Sequence, residues 1–230
     1  MTTCNPRSDA FTVTVLAYAT AHSSGGHINC AVTLGLSIVG TCHPLRAVVY
    51  VTCQLLGSIC GAALLLAATS PGIDRTGGLG SNGLQNPSVT IANAFVVEML
   101  GTFLLMFVVL ETAVNTHAVT TNGESAIRGN AQNLAPIPIG LAVFMAHVVC
   151  IPVTGCSINP TRSFGPALVS GTWTDHWLWW VGPCCGSTLA ALVWGALKQV
   201  EAMGVTAPKV AVEAAGDTTS ATKVEKFEAE

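Results

Sequence analysis

The stretch Thr154-Gly155-Cys156-Ser157-Ile158-Asn159-Pro160-Thr161-Arg162-Ser163-Phe164 has a weaker copy upstream, Ser24-Gly25-Gly26-His27-Ile28-Asn29-Cys30-Ala31-Val32-Thr33. Each copy reads as a sharp turn that opens a helix. Asn is a favoured N-cap because its side-chain oxygen accepts from the orphan N–H groups of the first turn. Pro160, in the next position, has no N–H to lose and a φ already suited to a helix. An Asn that caps through oxygen keeps two amide N–H donors, which are expected to point ahead of the helix. Two such caps face to face would offer paired donors to one small acceptor.

The chain around these turns is apolar. Of its 230 residues, 50% are hydrophobic and 9% charged, with a mean hydropathy of +0.58; this fits an all-α integral membrane protein better than a soluble domain. Irregular backbone at membrane depth is tolerated only where protein buries it or a water-filled cavity wets it. A net charge of −3 gives no basic field, so nucleic acid is excluded as a partner. The nine cysteines follow no disulfide framework and form no C-x-x-C pair, so most are expected to be small buried hydrophobes. His22, His27 and Cys30 flank a glycine turn instead of sharing a helix face, so no metal site and no cofactor is expected. The first ten residues are polar and lack the apolar core of a secretory leader.

Apolar runs long enough to span a bilayer are predicted over 45–68, 91–114, 138–153 and 176–197. Residues 27–36 and 154–170 are the short turn-and-helix segments. The first span carries Gly57-x-x-x-Gly61, a spacing that lets membrane helices approach closely. The second contains Glu98, an ionisable group amid Phe, Val, Met and Leu; it reads either as a proton relay or as an acceptor that holds loop backbone. The third contains His147 between flanking prolines, and the fourth opens on Trp173, Trp177, Trp179 and Trp180, as interfacial aromatics do. Residues 69–90 and 115–136 are polar loops, the first predicted extracellular. Arg46, Arg128, Lys198 and Lys209 fall on the opposite side, which is predicted cytoplasmic. Residues 201–230 read as a disordered tail.

Asn29 and Asn159 stand 130 positions apart, and the runs 54–57 and 183–186 stand 129 apart. Matches at one near-constant offset mark an internal repeat. Three spans per half, an odd number, force the second half to lie inverted, so the two short helices enter from opposite faces and meet at the midplane.

The two turns resemble the signature loops of the aquaporin (major intrinsic protein) family, and the resemblance runs from about residue 11 to residue 200. Leu134-Ala135-Pro136-Ile137-Pro138-Ile139-Gly140 is similar to the plant-type plasma-membrane branch. The resemblance implies an inverted repeat with two re-entrant half-helices and about five crossing segments. It also implies a first helix that is missing and a second that is short, because only residues 11–22 precede the first turn. Twelve residues reach about 18 Å, against a hydrocarbon core of about 30 Å. On this reading residues 1–10 are an atypical segment, 11–200 the channel domain and 201–230 the tail.

The resemblance further implies a passive channel for water and other small neutral solutes, built as a homotetramer or a hetero-oligomer in a lipid bilayer, the plasma membrane in particular. Asn29, Cys30, Ala31, Asn159, Pro160 and Thr161 would line its centre. Arg162, His147 and Cys156 would form walls of a constriction whose fourth wall, aromatic in the family, falls here on Asp9. Glu98 and His27 would be structural supports, with a Glu98–Arg162 salt bridge as the plainest alternative for that arginine. Cys30 and Cys156 would place thiols near the narrowest region, so a mercurial is expected to block. The competing reading is a non-conducting, truncated subunit that assembles with full-length partners. An enzyme is disfavoured, since no G-x-S-x-G or similar nucleophile motif occurs.

Overall fold

The computed structural model describes residues 6–69, 74, 76, 78–115 and 134–203, and every regular element among them is helical. In chain order these are α1 (Pro6–Ser24), α2 (Cys30–Ile38), α3 (Pro44–Ala68), α4 (Ile91–Val109, continued by a π-helical turn over Leu110–Val114), α5 (Pro136–Thr154), α6 (Pro160–Ser170) and α7 (Leu178–Ala202). By length and apolar composition α3, α4, α5 and α7 can each cross a membrane. The chain is a multi-pass integral membrane protein.

Local sequence sets the boundaries. Thr90 and Asn93 form a reciprocal capping box at the start of α4, and His43 caps α3 by accepting from the Leu45 amide ahead of Pro44. The helices α5 and α6 both open on a proline at N1 and end on a left-handed glycine, Gly155 and Gly171. The helix α7 runs to Ala202, two residues into the segment read from sequence as a tail. Residues 204–230 lie outside the described residues, as do residues 116–133 of the second loop.

The first helix differs from the sequence reading. It begins at Pro6, not residue 11, and its 19 residues reach about 28 Å, close to bilayer thickness. Its amino-terminal turn holds Arg7, Ser8 and Asp9, which is why hydropathy alone did not extend it. Asp9 sits where the helix dipole favours an acid.

The bounds of α1 and α5 correspond residue for residue at an offset of 130, as do the starts of α2 and α6. Helix pairs obey the same symmetry. The half-helix α6 packs on α3 and α2 packs on α7, while α1 and α5 meet each other. Ser58 on α3 donates to the Thr161 carbonyl at 2.6 Å, and its mate Ser187 on α7 donates to the Ala31 carbonyl at 2.6 Å. Each serine faces a glycine of the half-helix: Gly35 against Ser187, and Gly165 against the Ser58 backbone and hydroxyl. A Cβ at Gly165 would overlap that backbone. The Gly165→Val variant is therefore expected to force α6 off α3 and lower the melting temperature in detergent by several degrees or more. The expected loss is about 1–3 kcal/mol, the usual cost of overpacking. A melting curve superposable on that of the parent chain would refute this packing.

Candidate functional site

The two half-helices meet cap to cap. Asn29 Oδ1 accepts from the Ala31 and Val32 amides, and Asn159 Oδ1 accepts from the Thr161 amide, so both residues cap as their sequence context predicts. Each Nδ2 reaches into the opposite half: Asn29 Nδ2 donates to the Ile158 carbonyl at 2.9 Å, and Asn159 Nδ2 to the Ile28 carbonyl at 3.0 Å. The donors thus point ahead of each helix, but what lies in front of one of them is the backbone of the facing half. One donor per Asn ties the halves together, and one remains.

The turns ahead of the caps require unusual backbone. Gly25 and Gly26 have φ of 80° and 68°, and their mates Gly155 and Cys156 have 75° and 60°; Ile158 follows at 42°. A non-glycine residue in this region is strained unless its surroundings fix it. Glu98 supplies that support. It is fully buried; its Oε1 accepts from Thr154 Oγ1 at 2.6 Å and the Ser157 amide at 2.8 Å, and its Oε2 accepts from the Ile158 amide at 2.7 Å. The geometry is that of a loop-holding acceptor. In the first half, Gln54 Nε2 donates to the His27 carbonyl at 2.8 Å and to Thr33 Oγ1, while the His27 ring lies edge-on to Tyr50 and its Nδ1 is 3.2 Å from Thr33 Oγ1.

A cavity of about 760 Å³ runs along these turns, lined among others by Asn29, Asn159, Thr161, His27, His147 and Arg162. Arg162 Nη1 donates to the Gly80 carbonyl at 2.6 Å and to Asn82 Oδ1 at 3.1 Å. The loop that presents Gly80 is itself pinned: Thr76 Oγ1 accepts from the Gly80 amide, and Asp74 accepts from Thr76 and from the Leu79 amide. Those hydrogen bonds, the Thr76 hydroxyl first, hold the Asp74 carboxyl down to about 2. The Glu98–Arg162 salt bridge weighed as the plainest alternative is not how the arginine's Nη1 is engaged.

His147 is buried on α5, with Nδ1 2.8 Å from the Val143 carbonyl, and its Nε2 lies 3.2 Å from Asp9 Oδ2 on α1. A carbonyl only accepts, so Nδ1 carries a proton there. Asp9, His147 and Arg162 all line the same cavity.

Cys156 is not a wall. Its side chain is fully buried in the apolar core beside Cys150 and Ile158, because the left-handed turn at Gly155 and Cys156 carries it away from the cavity. Cys30, Ala31 and Pro160 are also buried and lie behind the lining. With no described thiol on the lining, the expected mercurial block loses its basis. Sequence reasoning missed Ser58, Ser187 and the contact of Asp9 with His147; the serines could have been found from their matched places in the repeat.

Three comparisons bear on this geometry. The model of the family described as major intrinsic protein matches residues 8–194. Aquaporin PIP2-1 of Arabidopsis thaliana is 43% identical over 180 residues, covering 77% of this chain and 60% of that protein. Aquaporin PIP2-5 of Oryza sativa subsp. japonica is 42% identical over 181 residues, covering 77% and 61%. The chain thus spans about three fifths of the length of such relatives. Among solved structures, that of the aquaglyceroporin from Plasmodium falciparum superposes with a TM-score of 0.70 over 87% of this chain and 84% of that one, at 22% identity; that likeness bears on the fold alone. Given an inverted repeat, two Asn-capped half-helices joined tip to tip, and a family model spanning nearly every described helix, this chain belongs to the major intrinsic protein family.

Proposed function

We propose that the chain is a passive membrane channel for water and other small neutral solutes, and not an enzyme. The observation that carries this reading is the meeting of the two Asn-capped half-helices on one cavity. Both helix dipoles put their positive ends at that meeting point, which disfavours a cation there. The remaining amide donors of Asn29 and Asn159 can orient the oxygen of one passing water, interrupting a chain along which protons would hop. Arg162 and His147 narrow the path and offer polar partners to water. The named relatives are plant aquaporins, which supports the channel reading; a plasma-membrane location and assembly as a homotetramer or hetero-oligomer belong to the same proposal. Stopped-flow light scattering tests the proposal: vesicles containing the chain should shrink several-fold faster than protein-free vesicles, with no added potassium conductance. Shrinkage at the protein-free rate would overturn it.

Asp9 stands where the family has an aromatic residue and makes the constriction more polar. Removing its carboxylate by Asp9→Ala frees His147 Nε2 and leaves space on the α1 side. Urea permeability is expected to rise several-fold relative to water permeability in the same vesicles. An unchanged urea-to-water ratio would place Asp9 outside the constriction.

A specific observation favours the second reading, a non-conducting subunit that assembles with full-length partners. The cavity is lined on α3 by Gly57 and Ser58 and on α1 by Thr12 and Leu16, and no described helix lies between these two walls.

A further inference from the structure

The second half-helix carries a cation that the first lacks. At the offset of 130 the mate of Arg162 is Val32, and both line the cavity. The acceptors that hold this guanidinium come from the loop between α3 and α4. Asn82 Oδ1, at 3.1 Å from Nη1, is itself fixed in place: Asn82 Nδ2 donates to the Thr154 carbonyl at 3.2 Å, and Ser163 Oγ donates to the same Oδ1 at 2.7 Å. The Gly80 carbonyl, at 2.6 Å, makes the shorter contact. Where that carbonyl points decides where the guanidinium rests.

Its direction depends on two successive left-handed residues, Leu79 with φ 53° and Gly80 with φ 77°. Glycine takes this conformation freely, whereas leucine is strained there and keeps it only where its surroundings hold it. Asp74 supplies the hold. Its Oδ2 accepts from the Leu79 amide at 2.9 Å, and its Oδ1 accepts from the Thr76 amide and from Thr76 Oγ1. The Thr76 hydroxyl gives its one proton to that carboxylate, so its lone pairs are left for another donor, and Oγ1 accepts from the Gly80 amide at 2.7 Å. The Ser81 amide closes the turn on the Gly78 carbonyl at 2.9 Å. The carboxylate thus fixes both amides of the left-handed pair, that of Leu79 directly and that of Gly80 through Thr76. Held down to about 2 by these bonds, Asp74 stays ionised through the neutral and mildly acidic range.

We propose that Asp74 is a positioning residue for Arg162: through Leu79, Thr76 and the Gly80 carbonyl it holds the guanidinium against the cavity wall and keeps the path beside it open. The inference rests on the channel reading, since the open path is the one water would take. Asp9 lines the same cavity and carries the opposite charge. A guanidinium released from Gly80 keeps its own charge, turns to acceptors in the lumen and is drawn toward that carboxylate. The side chain that bordered the path then obstructs it. Loss of Asp74 therefore acts opposite to loss of Arg162, narrowing the lumen where Arg162→Val widens it.

Water permeability of vesicles holding the full chain is the first test. Asp74→Ala and Thr76→Val should each lower it several-fold, and Thr76→Ser, which keeps the hydroxyl, should rescue it. In the Arg162→Val background neither Asp74→Ala nor Thr76→Val should lower it, because the residue they act through is gone. A loop that only held the fold together would lower permeability in both backgrounds, and that result overturns the proposal. The second test needs no conduction. Phenylglyoxal modifies accessible guanidinium groups, and its rate at Arg162 relative to Arg46 is followed by mass spectrometry of the full chain in detergent. Asp74→Ala and Thr76→Val should each raise that ratio about tenfold, as loss of one hydrogen bond to a charged group would. A ratio unchanged in both overturns the proposal. If Asp74→Ala does not fold, Thr76→Val carries both tests. A parent chain that passes no water while its variants show the rise sinks the channel reading and keeps the positioning of Arg162; a parent that conducts while the ratio stays fixed sinks this inference alone.

Discussion

Replacing Glu98 by Ala is expected to leave little folded protein. The carboxylate satisfies three donors at once, the Thr154 hydroxyl and the Ser157 and Ile158 amides, all in a fully buried place. Each donor left unpaired costs about 1–3 kcal/mol, so the loss is comparable with the whole stability of an ordinary domain, about 5–15 kcal/mol. The damage is also directed. Ile158 with its φ of 42° loses the bond that holds it, and its carbonyl is the one that accepts from Asn29 Nδ2. The second half therefore loses its turn, and the first half loses its cross-tie. Glu98→Gln should be milder, since its amide oxygen still accepts from two donors while its NH₂ faces a third. The measurement is thermal unfolding in detergent. A melting temperature for Glu98→Ala within about 2 °C of the parent would show that the carboxylate does not hold the turn.

The repeat was legible because it was written twice. Asn29 and Asn159, each following Ile and a glycine turn, gave both half-helices and their caps, and the positions of the apolar spans gave α3, α4, α5 and α7 to within a few residues. The start of α1 was not legible from hydropathy, because Arg7, Ser8 and Asp9 belong to its first turn. Pro6, standing 130 positions before Pro136, was the available signal. Cys156 was assigned to the cavity from its place in the motif. Position within a turn does not say which way a side chain leaves it, and a φ of 60° sent this one into the core. The reciprocal bonds of Asn29 to Ile158 and of Asn159 to Ile28 could not be read from spacing either. They depend on how closely two helix tips approach, and that distance is set by Gly35 and Gly165 against Ser187 and Ser58.

Arg162→Val is expected to turn a neutral-solute path into a leaky one. The guanidinium lines the cavity and is held from the side by the Gly80 carbonyl and by Asn82 Oδ1, so its charge stays at a fixed point on the wall. A cation passing about 4 Å from it at an effective dielectric of about 20 is repelled by about 4 kcal/mol. Water in the cavity screens part of this, and every 1.4 kcal/mol that survives is about a tenfold change in rate. Methylammonium permeability should therefore rise at least about tenfold in Arg162→Val, with water permeability kept or increased because valine is smaller. The same variant frees Gly80 from its tether, so Arg162→Lys serves as the control: it keeps a charge near the wall, loses the two-acceptor geometry, and should admit little methylammonium. If Arg162→Lys leaks as much as Arg162→Val, the tether to Gly80 matters and the charge does not. If neither leaks, the exclusion of cations lies with the opposed helix dipoles at Asn29 and Asn159, which both variants leave in place.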